Sequence, residues 1–117
     1  MQINYSFRRH RDGPKLTVRK GGSILIHQAT VDEFGLMGTQ FVSLHFNPID
    51  STLIINPSVD NFKASWKVYK QASGSLLIMG RPFLIKNKLL SAKASMILPV
   101  EWNLARGGIV VKIDQQK

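Results

Sequence analysis

The feature that most constrains this fold is a five-residue pattern that occurs twice, 52 residues apart. Residues 22–26 have the sequence GSILI, and residues 74–78 have the sequence GSLLI. Each run is short, aliphatic and opened by a glycine, which is typical of a strand that follows a tight turn. Because similarity at a fixed spacing indicates duplication, we expect a chain built from two related halves.

The segments around the two runs occur in the same order. A basic strand precedes each run, and a short helix, a strand, a turn and a second strand are predicted to follow it. We therefore interpret each half as a strand–helix–strand–strand unit. Two further alignments support the duplication, namely residues 42–44 with 94–96 and residues 53–55 with 109–111.

The helix signals differ between the two halves. Val31 and Phe34 recur near helical spacing, and Gly35 supplies a C-terminal stop, so a helix of about two turns is expected there. In the second half we interpret residues 80–82 as an interruption and place a short helix around residues 86–90. A proline at position 99, inside an apolar run, favours an edge strand or a bulge.

Two such units can close one small barrel about a pseudo-two-fold axis, which removes exposed strand edges. The predicted fold class is therefore β-rich α+β. The length of 117 residues fits one domain. We expect this domain to span residues 1–117, with an arm at 1–15, repeat one at about 16–57 and repeat two at about 63–113.

Composition excludes several classes of protein. Cysteine is absent, so disulfide scaffolds, cysteine-based zinc sites and thiol catalysis are excluded. No apolar run approaches the roughly 20 residues of a membrane helix, and the N-terminus lacks the apolar segment of a signal peptide. We expect a cytoplasmic protein with no membrane partner.

The net charge of +9 is distributed unevenly along the chain. Residues 1–20 carry +5, residues 21–62 carry −4, residues 63–93 carry +7 without any acid, and residues 94–117 carry +1. A surface that is merely solubilising mixes both signs. Segregated excess charge favours a polyanionic partner, and we expect DNA, single-stranded or duplex, with RNA left open.

Aromatic residues and cations occur close together in residues 5–9 and again in residues 66–70. On a strand, Lys67 and Tyr69 share one face, so the tyrosine can stack on a base while the lysine contacts its phosphate. We expect Trp66, on the other face, to lie in the core. The predicted nucleic-acid contacts are the stacking residues Tyr5 and Tyr69 and the cations Arg8, Arg9, Arg11, Arg19, Lys20, Lys63, Lys67, Lys70, Arg81, Lys86, Lys88 and Lys93.

The glycine and apolar spacings of residues 18–57 carry a resemblance. A Val-Arg-Lys segment precedes Gly22, a helix ends at Phe34-Gly35-Leu36, and an apolar strand with Pro57 closes the segment. This pattern resembles the AbrB/SpoVT family of swapped-hairpin DNA-binding domains, over about a third of the chain. The resemblance implies a transcription regulator whose basic residues near the first strand, here Arg19 and Lys20, contact DNA.

The chain departs from that family pattern in three ways. His27 stands where the family helix usually begins with proline, and Val31 and Asp32 stand where it usually carries an arginine. Family members supply one half-barrel per chain and dimerise, whereas this chain holds two halves. The oligomeric state is therefore left open, since a strand edge at residues 5–9 can still pair two chains into a homodimer.

Catalytic chemistry has little support in the sequence. Asp32 and Glu33 are adjacent on a predicted helix and diverge by about 100°, so they do not share a metal easily. There is no phosphate loop and no metal-ligand spacing. We expect no enzyme and no cofactor. Two alternatives stay open, a protein-interaction module that docks on acidic partners and a small nuclease.

Overall fold

The computed structural model of the chain describes residues 13–58, 65–90 and 94–113. Within these ranges it contains nine strands, all paired antiparallel, and two short helices. The expected β-rich α+β barrel is confirmed. In chain order the elements are β1 (Lys15–Val18), β2 (Ile24–Ile26), α1 (Gln28–Phe34), β3 (Phe41–Asn47), β4 (Thr52–Ser58), β5 (Ser65–Lys70), β6 (Leu76–Ile78), α2 (Arg81–Lys86), β7 (Met96–Pro99), β8 (Glu101–Asn103) and β9 (Gly108–Lys112).

The strands form one sheet in the order β7-β1-β2-β6-β5-β3-β4-β9-β8, which closes almost completely into a barrel. Its two end strands, β7 and β8, are consecutive in the chain and are separated by Val100 alone. The Val100 N–H donates to the carbonyl of Pro14 at 3.1 Å, while Pro99, which has no N–H, ends β7. β7 and β8 therefore act as one bent strand that joins the two ends of the sheet.

Alternate strand residues point into the barrel and build one apolar core. On β1, for example, Leu16 and Val18 are buried, whereas Lys15 and Thr17 are partly exposed. Each helix adds to this core, because Val31 of α1 and Leu84 of α2 have no exposed surface. Burial of each such aliphatic side chain stabilises the fold by about 1.5–3 kcal/mol.

The two halves of the barrel repeat the same hairpin turn. Gly22 follows β1 with φ +105°, and Gly74 follows β5 with φ +94°, a region in which other residues are strained. In each turn the residue three before the glycine donates its N–H to the carbonyl of the residue after it, at 2.8 and 2.9 Å. Equivalent positions in the two hairpins are 52 residues apart, as the repeated pattern predicts.

The repeat creates a pseudo-two-fold axis through the sheet. β2 and β6 are the equivalent strands of the two halves, and they pair with each other. In that pair Leu25 lies opposite Leu77, and these two residues are themselves equivalent. An antiparallel pair of equivalent strands is related by a two-fold axis, which therefore passes between Leu25 and Leu77.

The structure corrects the position of the second helix. α2 covers Arg81–Lys86 and not residues 86–90. Pro82 lies in its first turn, where a missing N–H costs no helical hydrogen bond. Past the helix, Lys88 adopts φ +57°, the left-handed conformation that Gly35 adopts at φ +65° after α1.

The strands after the helices align differently from the expectation. Phe41 lies opposite Lys67 and Pro99 lies opposite Lys15, and those two lysines are equivalent. Residues 42–44 therefore correspond to 100–102 and not to 94–96. Ile55, which pairs directly with Ile109 on the neighbouring strand, also corresponds to it, so the expected alignment of residues 53–55 with 109–111 is wrong by two positions. The second half carries five extra residues before its strand, since the spacing grows from 53 at Gly35 and Lys88 to 58 at Phe41 and Pro99.

The two helices lie at opposite ends of the β1, β2, β5 and β6 strands. At the start of β1, Thr30 of α1 accepts a hydrogen bond from the Lys15 N–H and donates one to the Lys15 carbonyl, both at 2.6 Å. Beyond the other end of β1, Arg81 of α2 donates to the Gly21 carbonyl at 3.0 Å. We name these the α1 end and the α2 end.

Candidate nucleic-acid interface

Three cations from distant parts of the sequence meet at the α2 end. Arg19 and Lys20 are exposed at the β1–β2 turn. Arg81, 60 residues from Gly21, donates from Nη1 to the Gly21 carbonyl, and its stem covers Gly22 so closely that a Cβ on that glycine would lie 2.6 Å from the Arg81 Cγ. We call Arg19, Lys20 and Arg81 the basic turn.

The equivalent turn of the other half has no charge. There the side chain of Gln28, the first residue of α1, covers Gly74, with its Cγ 3.1 Å from the position of an added Cβ. Gln71 and Ala72 stand where the basic turn has Arg19 and Lys20. The two turns have the same backbone conformation, and neutral residues are sufficient in one of them. The fold itself therefore does not require the three cations.

An apolar row crosses the outer surface of the sheet near the basic turn. Residues that pair directly in an antiparallel sheet point to the same face. Tyr69 is 44% exposed and Ile97 is 64% exposed, while the residues between them are partly exposed. By strand register this outer row consists of Tyr69, Leu77, Leu25, Thr17 and Ile97, from β5 through β6, β2 and β1 to β7.

Two cations lie beside the outer row, on the side nearer the α2 end. Arg19 is two residues after Thr17 on β1, and Lys67 is two residues before Tyr69 on β5. Three antiparallel pairings separate β1 from β5, so the two strands run in opposite directions. A step forward along β1 and a step backward along β5 therefore both lead toward the α2 end. The Lys67 Nζ lies 5.4 Å from the Tyr69 ring centroid, within the range of a cation–π contact.

The α1 end differs in charge from the α2 end. On the same outer face, Lys15 and Gln71 occupy the positions equivalent to Lys67 and Arg19, so one of the two cations is replaced by an amide. α1 also exposes Asp32 and Glu33. Among the described residues, positive charge unbalanced by acids is thus concentrated at the α2 end.

His27 contributes a neutral group to the outer face at the α1 end. It precedes α1 as the N-cap residue, but its side chain makes no capping hydrogen bond. Instead its Nε2 lies 2.7 Å from the Thr17 Oγ1. Burial, and next the charge of Lys15, lower the pKa of His27 below its ordinary value of 6.5, so the ring is neutral at pH 7.

The remaining predicted site residues divide into three groups. Lys86 is the last residue of α2, the helix that supplies Arg81, and Lys88 lies two residues after it; both are exposed. Lys70 ends β5 opposite Leu76 and lies toward the α1 end, apart from the basic turn. The predicted contacts outside the described residues are Tyr5, Arg8, Arg9, Arg11, Lys63 and Lys93.

The expectation for Trp66 agrees with the structure. Its ring is partly buried against the core and meets the ring of Phe83 at a centroid distance of 6.4 Å and an angle of 75°. Lys67 and Tyr69, on the opposite face of β5, are exposed. The alternation along this strand was therefore enough to separate a core aromatic from a surface one.

The sequence did not reveal the apolar part of the outer row. Leu25 and Leu77 lie in runs that are aliphatic throughout, which gives no signal for the residue that faces outward. Ile97 and Met79 are also well exposed, at 64% and 57%. The register of pairing was needed to place Leu25, Leu77 and Ile97 on one line with Tyr69.

Two further properties bear on the class of function. Within residues 13–58, 65–90 and 94–113, no three His, Asp or Glu side chains are grouped so as to hold a metal ion. Over the same ranges, no helix has the length and apolar character needed to cross a membrane.

The chain was also compared with known proteins. No family model, no curated protein sequence and no solved structure matches it. The resemblance of residues 18–57 to the AbrB/SpoVT family therefore stays a prediction, and a function has to be inferred from the barrel and its surface.

Proposed function

We propose that this chain is a non-enzymatic DNA-binding protein, acting as a transcription regulator or a single-strand-binding protein, that contacts phosphates through its α2 end. The observation that carries the proposal is the basic turn. Its three cations converge from two halves of the chain onto one glycine turn, while the equivalent turn is neutral. Cations that the fold does not require suit a polyanionic ligand.

The surroundings of the basic turn extend the same surface. Lys67 projects from the neighbouring edge of the outer face, α2 runs from Arg81 to Lys86, and Lys88 follows the helix. Among the described residues, six exposed cations therefore lie at this end of the barrel. Such a surface binds phosphates electrostatically, with an affinity that falls steeply as salt concentration rises.

The neutral turn supplies the substitutions for a test. Replacing Arg19 by Gln, Lys20 by Ala and Arg81 by Gln gives the basic turn the residues that already serve the equivalent turn, so the barrel is expected to stay folded. A double variant of Arg106 and Lys112, two exposed cations on the β8–β9 turn and on β9, serves as the control for loss of charge.

We expect the triple variant to weaken DNA binding in a fluorescence-anisotropy titration. The slope of log affinity against log salt should fall by about 2–3, since each lost phosphate contact removes about 0.7–0.9 from it. The control variant should change the slope by less than half as much. If the wild-type protein binds no DNA at about 50 mM salt, or if both variants have equal effects, the proposal is wrong.

A protein-interaction module is the second candidate function. It is favoured by the exposed acids Asp32 and Glu33 at the end of the barrel opposite the basic turn. That arrangement allows the acidic end of one copy to dock on the basic end of the next. Salt-sensitive self-association without DNA, measured by sedimentation, would support this function over DNA binding.

A further inference from the structure

We infer that the ligand of this surface is single-stranded DNA, with its bases on the outer row and its phosphates on the cations beside that row. This inference rests on the proposed DNA-binding function and adds the form of the DNA and the face that holds it. It depends on the register that aligns Tyr69, Leu77, Leu25 and Ile97 across neighbouring strands.

The outer row offers a surface that unpaired bases can use and paired bases cannot. Tyr69 and Ile97 are 44% and 64% exposed at the two ends of the row. In a duplex the faces of the bases are covered by stacking, whereas a single strand can lay them on aromatic and aliphatic side chains. In RNA-recognition domains, aromatic side chains on a four-stranded sheet stack two or three bases, and the outer row spans five strands.

The cations stand where the phosphates of such a strand would lie. Arg19 and Lys67 are each two residues along a strand from the outer row, about 7 Å at the usual rise per residue. The Lys67 ammonium group lies 5.4 Å from the Tyr69 ring centroid, so it is placed beside any base that stacks on that ring. The face is formed by β7, β1, β2, β6 and β5, and none of the described residues of these five strands is Asp or Glu.

The structure argues against two other ligands for this face, namely a second copy of the chain and duplex DNA. A second copy bound face to face would bring Arg19, Lys67 and Lys15 of both copies together around the outer row, which is electrostatically unfavourable. The major groove of duplex DNA is read by an exposed helix or a two-stranded β-ribbon, whereas the described helices have only seven and six residues and the outer row crosses five paired strands. Charge complementarity therefore favours an anionic strand with exposed bases.

The test compares a labelled single strand of about 12 nucleotides with the duplex of the same sequence, by fluorescence anisotropy. Wild-type protein should bind the single strand at least tenfold more tightly. Tyr69→Ala should weaken single-strand binding by about 5- to 100-fold and leave duplex binding within about twofold, whereas Tyr69→Phe, which keeps the ring, should retain binding.

A second pair of variants tests the far end of the row independently of Tyr69. Ile97→Glu places an acid on the outer row, and Ile49→Glu makes the same change at a 93% exposed position on the β3–β4 turn. Ile97→Glu should weaken single-strand binding by about tenfold or more, and Ile49→Glu by less than about threefold. Circular dichroism checks that each variant is folded.

The outcomes separate this inference from the proposed function. If the protein binds duplex as tightly as the single strand, or if Tyr69→Ala and Ile97→Glu leave single-strand binding unchanged, DNA binding stands and the single-strand assignment is wrong. If neither form of DNA binds, both proposals fail. Self-association that Ile97→Glu abolishes and that DNA does not compete with would also overturn the inference, because the face would then be a contact between copies.

Discussion

The side chain of Arg81 lies directly against the α-carbon of Gly22, and this contact joins the helix of one half of the barrel to the hairpin turn of the other half. Gly22 has φ +105°, and an added Cβ would lie 2.6 and 2.7 Å from the Arg81 Cγ and Cβ. The close approach is reciprocal, since Gln28 covers Gly74 in the equivalent place. The glycine thus serves both the turn and the packing of α2.

The Gly22 contact predicts a loss of stability on substitution. Gly22→Ala should lower the free energy of unfolding by about 1–3 kcal/mol, because the new methyl group is strained at positive φ and displaces Arg81. Gly21→Ala is the matched control, since a Cβ there meets no atom within 4 Å, and it should change stability by less than about 1 kcal/mol. Equal losses in urea denaturation would contradict this account of the turn.

Replacing Lys88 by glycine is expected to increase the stability of the fold. It adopts φ +57°, a conformation that costs a residue with a side chain about 1 kcal/mol and costs glycine little. Lys88→Gly should therefore raise the free energy of unfolding by about 0.5–1 kcal/mol.

The control for this change is Lys86→Gly, which removes the same charge inside the last turn of α2. There glycine should lower stability by about 1 kcal/mol, so the two variants should differ in sign. Under the proposed function both should weaken DNA binding to a similar degree. Losses of stability in both variants, measured by thermal and chemical denaturation, would refute the assigned role of the Lys88 backbone.

His27 predicts a pH dependence of stability. Burial and the nearby Lys15 lower its pKa in the folded protein below 6.5, so as pH falls the unfolded chain takes up this proton first. The contribution of neutral His27 to the free energy of unfolding is fully present above about pH 6.5 and is lost as pH decreases from there toward the folded-state pKa. His27→Gln, which does not titrate, should flatten the stability curve in that range relative to wild type. Parallel curves for the two proteins between about pH 8 and pH 5 would exclude this role.

The hydrogen bonds of Thr30 are expected to stabilise the packing of α1 on β1. Its hydroxyl group, fully buried, both accepts from the Lys15 N–H and donates to the Lys15 carbonyl. Thr30→Val keeps the shape but removes both hydrogen bonds, which should cost about 1–3 kcal/mol. Thr30→Ser keeps the hydroxyl and loses one methyl group, at about 1 kcal/mol. A valine variant more stable than the serine variant would show that packing and not hydrogen bonding holds this helix.

Part of the site could be predicted because it depends on neighbours along one strand. The alternation of residues 66–70 placed Tyr69 and Lys67 on one face and Trp66 on the other, and the structure has them there. Lys70, predicted with them, lies toward the α1 end. Three residues on a strand cover about 10 Å, which is enough to separate two cations that are close in sequence.

Other features could not be predicted because local signals for them conflict or are silent. Pro82 favours a break in the sequence pattern, yet proline is also compatible with the first turn of a helix, where it lies. The burial of Leu84 against the core stabilises that helix. The alignment of the two halves after α2 failed because insertions in loops leave no periodic signal. The exposed position of Ile97 depends on which strand pairs with β7 and in which register.

The sequence by itself determined the strand-rich class, the duplicated hairpin with its glycine turns, and the two blocks of positive charge. These follow from short-range chemistry, namely side-chain alternation, positive φ at glycine and the order of charges along the chain. Only the tertiary structure decided which cations meet. Arg81 lies beside Arg19 and Lys20 because β2 pairs with β6 about the pseudo-two-fold axis, and this pairing brings residues 60 positions apart within 3.0 Å. Such pairing is set by burial of the whole core, and no local pattern encodes it.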